Sequence, residues 1–365
     1  MYNNIFRGKK VLITGNTGFK GSWLTFWLLK LGAKIVGISK DIPTSPSLFK
    51  ILELENKIFH NQFNIIEKEK LQKLILHEKP DFIFHLAAQA IVSKSYFDSF
   101  ETIQSNVLGT CSLLESMKSI NWNVNCVMIT SDKSYLNKEW VWGYKETDTL
   151  GGKDIYSGSK ASAEQLIYSY YNSFFKDNQN IKLAVGRAGN VIGGGDWAKD
   201  RIVVDTINAW SSNQKVIIRS PYSTRPWQHV LEPLSGYLNL ALHLSENNFD
   251  GEAYNFGPRS NQDKTVLDLI KNLSEGWFNN PDDYIEIQQK NKSFREAHLL
   301  KLNCDKALNN LKWKSTLNYK KTCEFVSSWY FEYYKGENDI IYFTDNQINE
   351  YQEIAKNKNL EWAQN

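Results

Sequence analysis

Only four cysteines occur in the 365 residues, Cys111, Cys126, Cys304 and Cys323, scattered and with no C-x-x-C pair. That scatter excludes a disulfide framework and a cysteine zinc site, and it suits a reducing cytoplasm. The six histidines, His60, His77, His85, His229, His243 and His298, show no paired ligand spacing, so no metal is expected. No run of about 18 apolar residues is present, which argues against a membrane span. Met1 to Lys10 lack the apolar core of a secretory signal. Neither sign of charge dominates: 43 basic and 40 acidic residues leave a formal +3. Without a sustained basic stripe, nucleic acid is not an expected partner. Internal repeats and low-complexity tracts are also missing. What remains is an ordinary globular composition, 42% hydrophobic and 23% charged, long enough for a substantial core and about two lobes.

Val11-Leu12-Ile13-Thr14 reads as a short buried strand, followed by a glycine turn and a helical stretch from Trp23 to Leu31. Further strand candidates are Ile35 to Ile38, Phe82 to Leu86, Val124 to Ile129 and Leu183 to Val185, with helical patterns between them. Apolar runs alternating with helices predict an α/β fold, a Rossmann-type doubly wound parallel sheet. After about Asn190, glycine, proline and tryptophan punctuate shorter elements, which marks a smaller mixed α/β lobe. Ala253 to Gly257 again reads as a strand entering a turn, so the chain is expected to cross between lobes more than once. From Gly336 onward the sequence is polar and reads as an appendage helix or partly ordered tail.

Gly15-Asn16-Thr17-Gly18-Phe19-Lys20-Gly21 lies between a predicted strand and a predicted helix, the context that raises a glycine pattern above chance. Gly15 allows a tight turn, Gly18 lets the backbone approach a pyrophosphate, and Gly21 permits close packing of helix on strand. Dinucleotide sites usually place an acid after the second strand; here the stretch is Ser39-Lys40-Asp41. NAD and NADP therefore both stay open on residues alone. Asn64 is a candidate for an adenine contact.

Tyr156 and Lys160 stand four apart, on one face of a helix. A tyrosine titrates near ~10, so a base at neutral pH needs its phenolate stabilised, by about three units or roughly 4 kcal/mol; the lysine is the group to do it. Thr130-Ser131-Asp132-Lys133 ends a predicted strand, where open α/β sheets bind ligands. Arg187 and Asn190, then Arg201, Arg219 and Arg225, supply polar groups suited to a diphosphate.

Taken in order with His85-Leu86-Ala87-Ala88-Gln89, Asn106-Val107-Leu108-Gly109-Thr110 and Tyr254-Asn255-Phe256-Gly257, these motifs resemble the extended short-chain dehydrogenase/reductase superfamily that acts on nucleotide sugars, from about Lys10 to about Trp313. Thr17 to Leu24, Asp132-Lys133, Glu139 to Tyr144, Gly193 to Ala198 and Arg225 to Val230 are similar to its CDP-glucose 4,6-dehydratase subfamily. The dTDP-glucose branch carries aspartate and glutamate where this chain has Asp132 and Lys133. Ser134, where the subfamily tends to have cysteine, and Ile155, in place of a proline, depart from the pattern.

The resemblance implies NAD as cofactor, with NADP still open. It implies a dinucleotide-binding domain over 1–189, extended by about 226–257, a nucleotide-sugar lobe over 190–225 and 258–335, and a tail over 336–365. It assigns the chemistry to Ser131, Asp132, Lys133, Tyr156 and Lys160. Tyr156, its pKa lowered by Lys160 and the nicotinamide charge, would take the C4 hydroxyl proton as hydride leaves. Lys133, or a water it positions, would take the C5 proton, and Asp132 would protonate the departing C6 hydroxyl; Ser131 would hydrogen-bond the sugar near C4. Cofactor contacts would come from Gly15, Thr17, Gly18, Phe19, Gly21, Ser39, Lys40, Asn64, Ile65, Leu86, Ala87, Ala88 and Asn106, and substrate contacts from Gln89, Asn190, Arg201, Arg219, Arg225, His229 and Arg295. A homodimer through helices around 103–118 and 161–175 is also implied. The alternatives are dehydration of another nucleotide sugar such as a GDP-hexose or GDP-heptose, 4-epimerisation of a UDP-hexose, and a nucleotide-binding protein without catalysis.

Overall fold

Short apolar runs covered on both faces build the sheet that organises this chain, with the polar, part-exposed strand Phe59–Gln62 at one edge. The computed structural model describes residues 1–259, 264–278, 280–288 and 299–364. Its main sheet contains β1 (Lys10–Thr14), β2 (Lys34–Ser39), β3 (Phe59–Gln62), β4 (Phe82–His85), β5 (Val124–Ile129), β6 (Ile181–Ala188) and a seventh strand, Ala253–Phe256. The spatial order is β3-β2-β1-β4-β5-β6 and then Ala253–Phe256, with every neighbouring pair parallel. The order reverses between β1 and β4, which opens a crevice beyond the carboxyl ends of the strands.

Val11 and Ile13 of β1 enter one apolar cluster with Trp23, Trp27 and Leu234. Leu12 enters the other with Ile83, Leu113 and Ile167. Burial on both faces explains why the strands read as continuous apolar runs rather than alternating ones. Helix α1 (Phe19–Lys30) and helix Leu231–Ser245 cover the first face; helices Lys68–Glu78, Gly109–Met117 and Ile155–Tyr170 cover the second. Beyond the main sheet, three two-stranded pairs join Val191–Ile192 to Gln228–His229, Thr224–Arg225 to Lys264–Thr265, and Val216–Ile218 to Ile285–Ile287.

The residues after Gly336 form helix Ile340–Asn357 and the short helix Glu361–Gln364. Thr344, Gln347, Ile348, Tyr351, Gln352 and Ala355 are buried on one face of the longer helix. Trp362 stacks on Tyr2 at 5.1 Å and on Tyr351 at 5.9 Å between ring centroids. Glu232, buried on the Leu231–Ser245 helix, accepts hydrogen bonds from Thr316 N at 2.8 Å, Leu317 N at 2.6 Å and Tyr351 Oη at 3.0 Å. The polar stretch is therefore part of the core rather than a partly ordered tail. Among the described residues no helix is long and apolar enough to cross a membrane, and no three His, Cys, Asp or Glu side chains gather as metal ligands.

Two wholly buried histidines make the fold acid-sensitive. His85 Nδ1 lies 2.8 Å from Thr14 Oγ1, and its Nε2 lies 3.1 Å from Thr110 Oγ1. Thr110 donates its own proton to Asn106 O at 2.8 Å, so the network assigns the ring proton to Nε2. Burial lowers His85 to about 3, helped by the charge of Lys160, and burial alone lowers His229 to about 3. The unfolded chain takes up a proton at each ring near 6.5, whereas the folded chain does so only near 3. Stability is thus complete above 6.5 and falls as the pH drops through that window, by about 1.4 kcal/mol per pH unit for each ring. Urea midpoints should fall steeply from pH 6.5 to 5; a flat profile would mean that these rings are not buried as neutral bases.

Candidate active site

The glycine loop sits at the carboxyl end of β1. Gly15, at φ +76°, donates its N–H to Ile38 O at 2.7 Å. A Cβ at Gly15 would stand 2.8 Å from Ala87 N, and one at Gly21 would stand 2.0 Å from Gly15 O. Either addition would collide with backbone and push the loop out of its turn. Gly18 is the N-cap of α1 and carries no side chain to satisfy the first amides of that helix, which leaves them for an anion. Thr17 Oγ1 donates to Asp41 O at 2.7 Å. Phe19 is only partly buried at the first position of α1.

Asn16, which the motif reading passed over, plugs the base of this loop. Its Oδ1 accepts from Ser39 Oγ at 3.0 Å, its Nδ2 lies 3.3 Å from His60 Nδ1, and its backbone O accepts from Ser22 Oγ at 3.2 Å. Ser39 also accepts from Thr17 N at 3.3 Å. The residue that stands in place of the customary acid therefore braces the loop. Lys40 is paired with Glu101, with Asp41 at 4.0 Å. Asn64 folds back on its own turn, accepting from Ile66 N at 3.2 Å, and Ile65 is buried against Gly109.

On the far side of the crevice, Leu86, Ala87 and Ala88 run partly exposed from the end of β4. Gln89 and Asn106, expected to contact substrate and cofactor, use their amides within the protein. Asn106 Oδ1 accepts from Gln89 N at 2.8 Å, and its Nδ2 donates to Gln89 O at 3.1 Å and Ser159 Oγ at 2.9 Å. Gln89 Nε2 donates to Ile91 O at 2.9 Å and Thr102 Oγ1 at 3.0 Å.

The acid and the amine lie at the end of β5. Ser131 caps the short turn Asp132–Ser134: its Oγ accepts from Lys133 N at 3.2 Å and donates to Asp132 Oδ1 at 2.9 Å. Asn190, at φ +52°, brings its Nδ2 to 3.5 Å from Asp132 Oδ2. Gly189 lies directly against this carboxylate, where a Cβ would come 1.9 Å from Asp132 Oδ2. Asp132 is buried and Lys133 half-buried. Asp154 begins the facing helix, accepting from Ser157 N at 2.9 Å and Ser157 Oγ at 2.7 Å, an N-cap that places Tyr156 in the first turn and Lys160 one turn later.

Tyr156 is a weaker acid in the protein without cofactor than a free tyrosine. Burial, and next the charge of Asp132, push its hydroxyl up to about 12, although a hydrogen bond with Ser131 pulls the other way. Lys160 is lowered to about 8 by burial, against the opposing pull of Glu164. In the protein by itself, burial keeps Tyr156 neutral. The reading also overlooked Lys20, the odd residue of the glycine loop. Its amine lies 5.7 Å from the Tyr237 ring centroid and makes no hydrogen bond or ion pair among the described residues. Burial, then Lys160 and Arg201, lower it to about 7.

The arginines divide. Arg187, read as a diphosphate ligand, is buried and ion-paired to Glu164, so it cannot reach a ligand in the crevice. Arg201 is partly exposed and paired with Asp196, Arg225 donates to Thr224 O at 2.8 Å, and Arg219 is exposed. His229 is packed between Trp23 at 6.0 Å and Phe325 at 5.4 Å, away from any open surface; it is a core residue. Arg295 lies outside the described residues.

The family model described as GDP-mannose 4,6 dehydratase matches residues 12–326. The chain belongs to this family. Within this family, the chain is 44% identical over 354 residues to a CDP-glucose 4,6-dehydratase of Salmonella typhimurium, covering 95% of this chain and 97% of that protein. Among solved structures, the epimerase Mth375 of Methanothermobacter thermautotrophicus superposes with a TM-score of 0.77 at 20% identity, covering 92% of this chain and 95% of that one. The dTDP-glucose 4,6-dehydratase of Bacillus anthracis in complex with NAD does so at 0.72 and 21%, covering 89% and 97%. At that identity the two structures speak for the fold alone. The glycine cradle and the paired Tyr156 and Lys160 thus stand in a fold that this 4,6-dehydratase family shares with epimerases.

Proposed function

We propose that this chain is a hydro-lyase that converts CDP-D-glucose to CDP-4-keto-6-deoxy-D-glucose in an NAD-dependent reaction without net redox change. The observation that carries the reading is the acid–amine pair Asp132-Lys133, held at the end of β5 by Ser131 and Asn190, next to Tyr156. An epimerase has no use for such a pair. The near full-length likeness to a protein named CDP-glucose 4,6-dehydratase supports the choice of nucleotide.

The cradle suits a dinucleotide pyrophosphate, since Gly15 and Gly21 let the turn pack tightly on Ala87 and on its own backbone and Gly18 leaves the first amides of α1 uncapped. Lys40, its charge offset by Glu101, has little to offer a 2′-phosphate, which favours NAD over NADP. When bound, NAD supplies the acceptor for the sugar's C4 hydride and gives it back at C6. The chain's own residues move the protons. Tyr156 takes the C4 hydroxyl proton. Lys133, or a water it positions, takes the C5 proton made acidic by the neighbouring ketone, and gives a proton back to C5 as the hydride returns to C6. Asp132 gives a proton to the C6 hydroxyl, which leaves as water. Asn190, Arg201 and Arg225 hold the diphosphate, with Arg201 oriented by Asp196.

The test is to incubate the protein with NAD and, separately, CDP-glucose, dTDP-glucose, UDP-glucose and GDP-mannose, and to follow loss of water by mass spectrometry. Loss from CDP-glucose alone supports the reading. Loss from another sugar keeps the chemistry and corrects the substrate; no loss from any rejects the dehydratase.

The same reading includes a cytoplasmic homodimer. Helices Val92–Phe97, Ser99–Ile103 and Ile155–Tyr170 pack together and leave Phe97, Phe100 and Tyr168 exposed at 81%, 68% and 65%. Apolar surface on this scale asks for a partner, and a second copy meets it with the same face. Phe100→Glu should convert the dimer to monomer in sedimentation equilibrium; a wild-type chain that sediments as a monomer would refute the dimer.

A further inference from the structure

Beneath the reacting segment lies a charge pair that contacts no open surface. Glu164 and Arg187 expose 3% and 5% of their side chains. Glu164 Oε2 accepts a hydrogen bond from Arg187 Nε at 2.7 Å and is ion-paired to Nη2 at 2.6 Å. Its Oε1 accepts from Thr130 Oγ1 at 2.7 Å and lies 2.5 Å from Ser134 Oγ, which divides its one proton between this carboxylate and Ser131 O, also at 2.5 Å. Thr130 and Ser134 bracket the three residues Ser131, Asp132 and Lys133. Arg187 Nη1 donates to Tyr135 Oη at 2.6 Å, and Tyr135 Oη passes its proton toward Asn255 Oδ1 at 2.8 Å. The guanidinium also lies 4.8 Å from the Tyr135 ring centroid. Glu164 sits on the Tyr156 helix, one turn beyond Lys160.

A buried ion pair is weak evidence for stability, because well-packed apolar residues of the same volume serve as well. Here, among the described residues, the carboxylate's bonds go only to Arg187 and to the two hydroxyls flanking the acid and the amine. We propose that Glu164 and Arg187 form the positioning device of the dehydration step, locking the segment that carries Asp132 and Lys133 to the helix that carries Tyr156 and Lys160. The proposal rests on the dehydratase reading above. Neither residue touches substrate; both act through Thr130, Ser134 and Tyr135. Glu164 also opposes the lowering of Lys160 by burial, so one carboxylate sets the place of one half of the site and the charge of the other.

The test is Glu164→Gln, which keeps the shape and loses the charge, compared with the wild-type holoenzyme in single turnover on CDP-glucose. Elimination should slow by roughly 10²-fold, the scale of a small misplacement of reacting groups, and more than the preceding sugar oxidation, so that reduced cofactor builds up. The alkaline limb of the oxidation step should move to lower pH. Amide hydrogen exchange over residues 130–136 should quicken while α1 exchanges as before. A purely structural role predicts the reverse: both steps slowed alike, the pH limb unmoved, or exchange at 130–136 unchanged in a folded variant, and any of these overturns the proposal. Should Glu164→Gln fail to fold, Ser134→Ala and Thr130→Val each remove one bond to Glu164. They should show the same imbalance to a smaller degree, and wild-type elimination in both overturns it. If the wild type dehydrates no nucleotide sugar, the functional reading fails, and the exchange measurement alone decides the positioning.

Discussion

Asp132→Asn should lower dehydration by about 10²- to 10⁴-fold, the usual worth of a placed general acid, while sugar oxidation continues and reduced cofactor accumulates on mixing with CDP-glucose. Asparagine preserves the outline of the site. Its Oδ1 still accepts from Ser131, as the aspartate does at 2.9 Å, and its amide occupies the same niche against Gly189. What it lacks is a proton to give to the C6 hydroxyl. Stopped-flow absorbance of the reduced cofactor, with mass spectrometry of the sugar, separates the two steps. Product at near wild-type rate would move the acid elsewhere, and failure to reduce the cofactor would make Asp132 a binding group instead.

Tyr156→Phe should stop both steps, with turnover down at least about 10³-fold and no reduced cofactor formed. The contrast with Asp132→Asn is what identifies the role. Burial and Asp132 hold the hydroxyl at about 12 in the protein alone, so the phenolate needs positive charge beside it. Lys160, at about 8, contributes that charge only while protonated. Oxidation should accordingly weaken as the pH rises past about 8. A rate that keeps climbing well above that pH would show that the ammonium is not required.

Most of the sheet could be read in advance because its inner strands are short, apolar and covered on both faces, as Leu12 and Ile13 illustrate by entering opposite clusters, whereas the edge strand Phe59–Gln62 is polar and part-exposed and carries no such signal. The glycine loop and the helical pair four residues apart were legible for the same reason: local geometry sets their spacing. Three things were not. Side-chain direction at the start of α1 depends on what packs there, so Lys20 gave no sign that it meets Tyr237, more than two hundred residues away in sequence. Arg187 looked like a ligand because charge is visible in a sequence and its partner is not; Glu164 lies on a different element. The residues after Gly336 looked loose because half of the buried face of helix Ile340–Asn357 is polar, with Thr344, Gln347 and Gln352 at core spacing beside Ile348, Tyr351 and Ala355. Gln347 finds its partner in Phe325 O at 2.8 Å and Thr344 its own in Trp329 Nε1 at 2.8 Å, neither of which composition reveals.

The stacking of Trp362 on Tyr2, with Trp27 edge-on at 6.3 Å, bears on how the molecule is made. A chain emerging from the ribosome completes domains in order where their contacts are local. Here the first helix of the dinucleotide fold takes part of its cover, through Trp27, from Tyr351 and Trp362, more than three hundred residues later in the chain, and Glu232 waits 119 residues for its bond to Tyr351. The cofactor crevice therefore acquires its final rigidity only after nearly the whole chain has left the tunnel, and nascent chains halted before residue 351 should remain protease-sensitive across α1.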